Sequence, residues 1–201
     1  MSKNGLTISL NEVLFYFTRA GFGVNASIGV SEDFARSNIW IAQNGFDPSE
    51  CSLLALDNLD SQTSSLSIQF EKTGDGSHLF CPEDKVLSAI EASVSCVDWL
   101  EFNGLDGDLK LTNVDSPLLV VSALGANQCT GIQVSWTDKS NNHYEVNLKD
   151  DIEWEIISSS EAPIELSNYA DIHISAFDVN NKTSISNGKL KTLNIAEERL
   201  K

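Results

Sequence analysis

Basic residues are scarce in this sequence: 13 lysines and arginines stand against 29 aspartates and glutamates, giving a formal net charge of -16. Proteins that bind nucleic acid or anionic lipid surfaces do so through basic patches. A chain with this charge is repelled by phosphate backbones and by anionic membranes. We therefore expect no nucleic-acid partner and no membrane partner.

The sequence also lacks the apolar segments that target a chain to a membrane or anchor it there. Its first residues carry no apolar run of the signal-peptide type, and no stretch has the roughly 20 apolar residues that a membrane-spanning helix needs. These absences predict a cytoplasmic protein.

Cysteine is sparse and scattered, at Cys51, Cys81, Cys96 and Cys129. No C-x-x-C pair occurs and no histidine lies at metal-ligand spacing, so neither a zinc site nor a disulfide framework is indicated. We interpret all four cysteines as reduced thiols, and we expect the protein to hold neither a metal ion nor a cofactor.

The first well-defined element is a helix with a capping box at its start. Ser9 is followed three residues later by Glu12, so each side chain can satisfy a backbone N–H of the first turn. Apolar residues then recur at three- and four-residue steps, the pattern of a stripe buried against a core. We expect a helix from Leu10 to about Gly21, where glycine suits the left-handed position that ends helices.

Two more helices are expected before residue 60. The first begins at Ser31, carries two acids in its first turn and stops at Gly45. The second covers Ser49 to Leu59, where leucines recur at helical spacing. A fourth helix is expected near residues 82–97, with Pro82 in its first turn. The end of that helix is open, because residues 97–102 could equally begin an extended segment.

Strand patterns dominate the rest of the chain. Leu118 to Ala123 is a continuous apolar run, which we interpret as a central strand. Alternation of apolar and polar residues predicts further strands at residues 66–70, 109–111, 132–136, 144–148, 152–156 and 172–176, and an edge strand at 190–195. Ser140 to Asn142 supplies a hairpin loop.

These elements predict an α+β fold, with N-terminal helices packed on a mostly antiparallel sheet of several short strands. The length suits one domain over residues 1–201. Within it we expect a helical part at 1–60 and a mainly β part at 61–201.

Catalytic motifs are weak. His78 lies near Cys81 in a Gly-rich segment, but a Cys–His nucleophile pair needs direct contact and a lowered thiol pKa, which proximity in sequence does not establish. The spacing of Gly21, Gly23 and Gly29 does not match a dinucleotide-binding loop, and a helix precedes them where a strand is required.

The three arginines are more informative. Lysine outnumbers arginine ten to three, so Arg19, Arg36 and Arg199 are candidates for the two-point pairing with a carboxylate or phosphate that lysine performs poorly. The alternative for Arg36 is an ordinary surface pair with Glu32, four residues earlier on the expected second helix. We favour the surface pair slightly.

One set of short segments stands out in the first 45 residues: Asn11-Glu12, residues 19–23, residues 29–33, Arg36, Trp40 and Gly45. Together they resemble the N-terminal hallmark of an uncharacterised bacterial domain-of-unknown-function family of about this length. Weaker similarity continues at Cys81-Pro82, Asp98, residues 117–119, Trp136 and residues 191–199. The sequence departs from that family in lacking a Gly-rich tail and in having fewer alanines and arginines. The resemblance implies no established activity, so a functional hypothesis has to rest on residue types.

Our leading hypothesis is a small-molecule enzyme, or the ligand-binding subunit of one, acting on a small anionic metabolite without a metal ion. Arginines would bind the anion, a glutamate with a raised pKa would act as general base, and an indole would wall the pocket. The candidate residues are Arg19, Arg36 and Arg199 for binding, Glu12 and Glu32 for catalysis, and Trp40 for the wall. Glu12 already has a complete explanation as a capping residue. The alternative is a non-catalytic interaction protein, either an oligomer, for which a homo-oligomer is one candidate, or a partner subunit of another protein.

The charge generates the first testable prediction. We expect the purified protein to show no retention on duplex DNA or on anionic vesicles at physiological salt, because phosphate groups repel it. A gel-shift assay and vesicle co-sedimentation measure this directly. Saturable binding to either surface at that salt would contradict the expectation.

Overall fold

The computed structural model describes residues 8–74, 76–83, 85–104, 107–149, 154–158 and 169–177. Within these residues there are five helices and nine strands. The helices are α1 (Leu10–Gly23), α2 (Ile28–Gln43), α3 (Pro48–Asp60), α4 (Ala89–Asn103) and α5 (Pro117–Ala126). The strands are β1 (Ser64–Ser65), β2 (Gln69–Thr73), β3 (Gly76–Phe80), β4 (Val86–Leu87), β5 (Leu109–Val114), β6 (Ile132–Thr137), β7 (His143–Leu148), β8 (Trp154–Ser158) and β9 (Ala170–Ala176).

The described strands form one sheet in the order β1-β4-β5-β9-β6-β7-β8, with β3 also paired to β5 and β2 paired to β3. Three pairings are parallel, namely β1 with β4, β4 with β5 and β3 with β5. The other five are antiparallel. The α+β class and the mostly antiparallel sheet that the sequence predicts are therefore confirmed.

Successive side chains along a strand point to opposite faces of the sheet. Apolar residues alternate with polar ones along these strands, so one face of the sheet is apolar. A single register row crosses four strands and is buried throughout; it consists of Leu111, Ile172, Trp136 and Tyr144. The last two rings stack with their centroids 5.3 Å apart. Helices cover the sheet, with α4 packed on β5 and α3 on β1, while α1 packs chiefly against α2.

Helix α5 occupies the segment predicted as a central strand at Leu118–Ala123, so that prediction is wrong. All residues from Pro117 to Leu124 are buried, and the helix contacts α2, α3 and α4. A continuous apolar run suits a helix buried on every side as well as it suits a central strand, and periodicity does not separate the two. Pro117 in the first turn was the sequence signal for a helix.

The second helix begins earlier than the predicted Ser31. Ser27 is the N-cap, since its Oγ accepts a hydrogen bond from the Val30 N–H at 3.3 Å. Ser31 lies one turn inside the helix and donates its hydroxyl to the Ser27 carbonyl at 2.8 Å. Two serines four residues apart can both cap a helix, and the acids that follow Ser31 favoured the wrong one.

The fourth helix begins later than predicted. Val86 and Leu87 form strand β4, and Ser88 caps α4 by accepting a hydrogen bond from the Ile90 N–H at 3.3 Å. Pro82 lies outside the helix. The open question at residues 97–102 is resolved as helix, which continues to Asn103 and ends at Gly104, whose φ is +65°.

Several other expectations are confirmed. The capping box is present, with the Ser9 N–H donating to Glu12 Oε2 at 2.7 Å and the Glu12 N–H donating to Ser9 Oγ at 3.3 Å. Helix α3 and strands β5, β6, β7 and β9 lie close to their predicted positions. Of the strand predicted at 66–70, only the end is extended, in β2. The strand predicted at 190–195 lies outside the described residues, and the single-domain division stays a prediction.

No helix in the described parts of the chain combines the length and the apolar character that crossing a membrane requires.

The close approach of α2 and α5 gives a stability prediction. A Cβ added at Gly125 would lie 2.6 Å from Cζ2 and Nε1 of Trp40, so we expect Gly125→Ala to lower the free energy of unfolding by about 1–3 kcal/mol, the usual cost of overpacking. Gly29→Ala is the matched control, because it introduces the same methyl group on α2 with nothing within 4 Å. Urea denaturation of both variants measures the difference. Equal stabilities would show that the Trp40 ring moves aside freely.

Candidate functional site

The site with the most unusual chemistry lies where β4 and β5 end. These two strands run parallel, and helices α4 and α5 begin directly after them. The Ser88 N–H donates to the Ser65 carbonyl at 3.1 Å, and the Asp115 N–H donates to the Leu87 carbonyl at 3.2 Å. The ends of β1, β4 and β5 are thereby held together.

Asp115 is fully buried at this end of the sheet. Its Oδ1 accepts a hydrogen bond from the Ala89 N–H, in the first turn of α4, at 2.8 Å. Burial raises the pKa of the carboxyl to about 6, and the hydrogen bond from Ala89 offsets only part of that effect. The carboxyl therefore gains and loses its proton close to neutral pH.

Three buried polar atoms at this carboxyl are only loosely hydrogen-bonded. Asn58 Nδ2, Ser64 Oγ and Asp115 Oδ2 have no hydrogen-bond partner of normal geometry among the described residues. Each of the three residues is less than a tenth exposed. The Asn58 and Ser64 side chains make loose hydrogen bonds to the Asp115 carboxyl, and these help to lower its pKa. A poorly satisfied buried polar group is costly, so a ligand or ordered solvent that completed these hydrogen bonds would stabilise the site.

A fourth side chain connects this group to the surface. Tyr169, immediately before β9, donates its hydroxyl to Asn58 Oδ1 at 2.9 Å and is half-buried. The ammonium group of Lys139 lies 4.5 Å from the centre of the Tyr169 ring, and this lysine is exposed. We call Asn58, Ser64, Asp115 and Tyr169 the Asp115 cluster. The cluster extends from the buried Asp115 carboxyl to Tyr169, where the exposed Lys139 lies against it.

The two glutamates proposed as general bases lie elsewhere, on exposed positions of α1 and α2. The Glu12 carboxylate is occupied by the capping box, and hydrogen bonds from the Ser9 backbone and side chain lower its pKa. A lowered pKa is the opposite of what a general base at neutral pH needs. Glu32 is exposed in the first turns of α2, and its role stays a prediction.

The arginines proposed for anion binding have local partners. The Arg19 guanidinium lies 5.2 Å from the centre of the Phe15 ring, one turn away on α1. Arg36 pairs with Asp33 at 2.8 Å, and not with the expected Glu32; residues three apart on a helix are neighbours just as residues four apart are. Both arginines are exposed. Arg199 lies outside the described residues, so the convergence of the three arginines on one pocket stays a prediction.

Trp40, the proposed pocket wall, is half-buried and packs against Gly125 of α5. This contact gives the indole a structural role between α2 and α5. Trp40 and Arg36 share α2.

The histidine singled out in the sequence lies on β3. His78 Nε2 is 2.7 Å from Thr112 Oγ1 on β5, and its ring stacks on Phe80 at 4.8 Å. All four cysteines are free thiols, three of them buried. Burial raises the pKa of Cys51 to about 11, which makes it a poor nucleophile. Among the described residues, no group of three His, Cys, Asp or Glu side chains is arranged to hold a metal ion.

Sequence reasoning missed the Asp115 cluster because its members come from four separate segments. The available signal was the order of residues at 115–117, an acid and a serine before a proline, which is typical of a helix start. Interpreting the next segment as a strand concealed that signal.

Comparison with known proteins finds structures with a similar fold but identifies no family. No protein-family model matches the sequence, and no curated protein matches it. Among solved structures, malate dehydrogenase from Pyrococcus horikoshii OT3 aligns with a TM-score of 0.55 and 10% identity over 82% of this chain and 53% of that one. Malate dehydrogenase from Entamoeba histolytica aligns with a TM-score of 0.53 and 8% identity over 79% and 50%. A dehydrogenase from Sinorhizobium meliloti aligns with a TM-score of 0.54 and 9% identity over 84% and 78%.

At these identities the similarity concerns the fold alone. The chain spans about half the length of the two malate dehydrogenases.

The raised pKa of Asp115 predicts a pH-dependent stability. Between pH 3.8 and about 6 the folded state binds more protons than the unfolded state, so the free energy of unfolding falls as pH rises through this range. The shift corresponds to roughly 3 kcal/mol. Asp115→Asn keeps an oxygen for the Ala89 N–H and cannot ionise. We therefore expect the free energy of unfolding of this variant not to fall over this pH range, and to equal or exceed that of the wild type at neutral pH.

Urea denaturation of both proteins at about pH 4 and about pH 7 measures the effect. Asp115→Ala is the control, since it removes the hydrogen bond as well as the charge and should be destabilised at both pH values. Parallel profiles for the wild type and Asp115→Asn would contradict the raised pKa.

Proposed function

We propose that this chain binds a small carboxylate metabolite at the Asp115 cluster, and that Asp115 exchanges a proton with it. The three loosely hydrogen-bonded polar atoms of Asn58, Ser64 and Asp115 are the observation that carries the proposal. A ligand hydroxyl or carbonyl oxygen placed among them would satisfy Asn58 Nδ2, Ser64 Oγ and Asp115 Oδ2 together. Such placed polar groups give a small-molecule site its specificity.

Lys139 supplies the expected charge for a carboxylate. In a protein of net charge -16 an anion meets repulsion over most of the surface. The exposed ammonium at the Tyr169 end of the cluster offers local attraction. This assignment replaces the arginines as the anion-binding group because Lys139 contacts Tyr169 of the Asp115 cluster, whereas Arg19 and Arg36 contact Phe15 and Asp33 on their own helices.

Asp115 is suited to transfer a proton because its pKa of about 6 lies near the working pH. As a carboxylate it would accept the proton of a ligand hydroxyl through Oδ2, and as a carboxylic acid it would donate a hydrogen bond to a carbonyl oxygen. The Ala89 N–H holds Oδ1 in place in both states. This chemistry fits an enzyme, or the ligand-binding subunit of one.

The fold similarity supports a small hydroxy acid as the ligand class. Two of the similar structures are malate dehydrogenases, and malate carries a hydroxyl group beside a carboxylate. The proposal includes no hydride transfer, because this chain spans only about half of those proteins. It uses no metal ion.

A second candidate function is a non-catalytic, oligomeric interaction protein. The observation that favours it is the set of exposed aromatic residues on α1, including Phe15, Tyr16 and Phe22. The two functions are compatible, because α1 and the Asp115 cluster lie on different elements.

Isothermal titration calorimetry with malate, and with succinate as the matched ligand lacking the hydroxyl, tests the proposal. We expect malate to bind more tightly than succinate, and Lys139→Gln to weaken malate binding by about tenfold, since a contact with a charged group is worth roughly 1.5 kcal/mol or more. Lys72→Gln makes the same charge change on β2 and should leave the affinity unaltered. Near pH 6 the binding heat should depend on the buffer, and Asp115→Asn should abolish that dependence.

Absence of saturable malate binding, or equal effects of the two lysine substitutions, would refute binding at this cluster. Binding that keeps its buffer dependence in Asp115→Asn would refute the proton exchange alone.

A further inference from the structure

Helix α1 presents an apolar ridge away from the rest of the fold. Its buried residues Val13 and Gly21 face α2. Gly21 lies so close to Ser31 of α2 that a Cβ added at Gly21 would be 3.1 Å from the Ser31 Cβ. Phe15 and Phe22 are 54% and 62% exposed. Two residues along a helix correspond to about 200°, so Phe15 points away from Val13, and a seven-residue step returns almost to the same face.

Other apolar side chains near these two rings are also exposed. Ile8 lies just before α1 and is 40% exposed. Leu14 and Tyr16, each about 100° around the helix from Phe15, are exposed as well. Several exposed large apolar residues on one helix are typical of an interaction surface in soluble proteins.

The charge of α1 indicates what kind of partner fits this ridge. The protein carries a net charge of -16, so a second copy is repelled over most of the surface. Helix α1 carries one acid, Glu12, and one base, Arg19, and is neutral. Two copies that meet at α1 therefore bring no excess of like charge to the contact itself.

The positions of these two charges are self-complementary. Glu12 and Arg19 are seven residues apart and lie on the same flank of the apolar ridge. A two-fold axis through the middle of α1 places two copies of the helix antiparallel and sets each flank against itself, as an isologous interface requires. With Phe15 near the axis, Glu12 of each copy faces Arg19 of the other.

We infer that this protein forms a two-fold symmetric homodimer in which the α1 helices of two copies pair antiparallel through Phe15 and Phe22. Two reciprocal Glu12 to Arg19 pairs fix the direction of the helices. The capping box occupies Glu12 Oε2 and leaves Oε1 for the second copy. Arg19 keeps its ring contact with Phe15 while its N–H groups face the partner glutamate.

Sedimentation equilibrium of the full chain tests the dimer. We expect a monomer–dimer equilibrium in the micromolar range, because one helix from each copy forms a small interface. Phe15→Asp should weaken association at least tenfold, since it places a charge in the centre of the apolar ridge. Phe102→Asp is the matched control: Phe102 is 90% exposed on α4, and this change should not affect association.

The direction of the helices is tested by charge exchange. Arg19→Glu should weaken the dimer severalfold, because two glutamates then face each other, and combining it with Glu12→Arg should restore association. Glu12→Gln keeps a side-chain oxygen for the Ser9 N–H, so it separates loss of the charge pair from loss of the cap. Circular dichroism and melting temperature confirm that each variant is folded.

A wild-type protein that remains monomeric at tens of micromolar would overturn the inference. Equal loss of association in Phe15→Asp and Phe102→Asp would do the same. A dimer that survives Phe15→Asp would place the interface elsewhere. Failure of the double charge exchange to restore a dimer that Arg19→Glu weakens would overturn the antiparallel arrangement.

Discussion

Burial of helix α5 on every side is the constraint on which the rest of the structure depends. Because its residues from Pro117 to Leu124 have no exposed face, other helices must surround it, and α2, α3 and α4 do so. The start of the helix is also fixed, since the buried Ser116 hydroxyl donates to the Cys51 carbonyl at 3.0 Å. Asp115 is therefore held inside the protein at the end of β5. The burial that raises the pKa of this carboxyl to about 6 therefore accompanies the packing of a buried, mostly apolar helix.

The sequence predicts the elements whose causes are local. Ser9 and Glu12 identify the start of α1 because a capping box involves neighbours three residues apart. Alternation identifies β5, β6, β7 and β9 because each lies on a sheet with one buried face. Sequence patterns fail for α5, because its continuous apolar run fits a central strand as well as a helix buried by three other helices. They fail also for the start of α2, because two serines can act as the cap and the structure uses Ser27.

The candidate site depends still more on tertiary structure. Asn58 and Tyr169 are 111 residues apart and meet by a hydrogen bond, and no spacing in the sequence indicates this contact. The residues chosen from the sequence, Arg19 and Arg36, were selected for rarity. They were found with partners on their own helices. Rarity identifies a residue type, whereas burial and unused hydrogen-bonding capacity identify a site.

The position of β9 has a consequence for how the chain is made. This strand lies between β5 and β6, although both precede it in the sequence, and the contact from Asn113 to Asp171 spans 58 residues. Until β9 has left the ribosome, β5 and β6 each have an open edge with unpaired backbone groups. The centre of the sheet closes late, by a long-range contact that is intrinsically slow to form. Nascent chains shorter than about 177 residues therefore expose their edges to aggregation and chaperones.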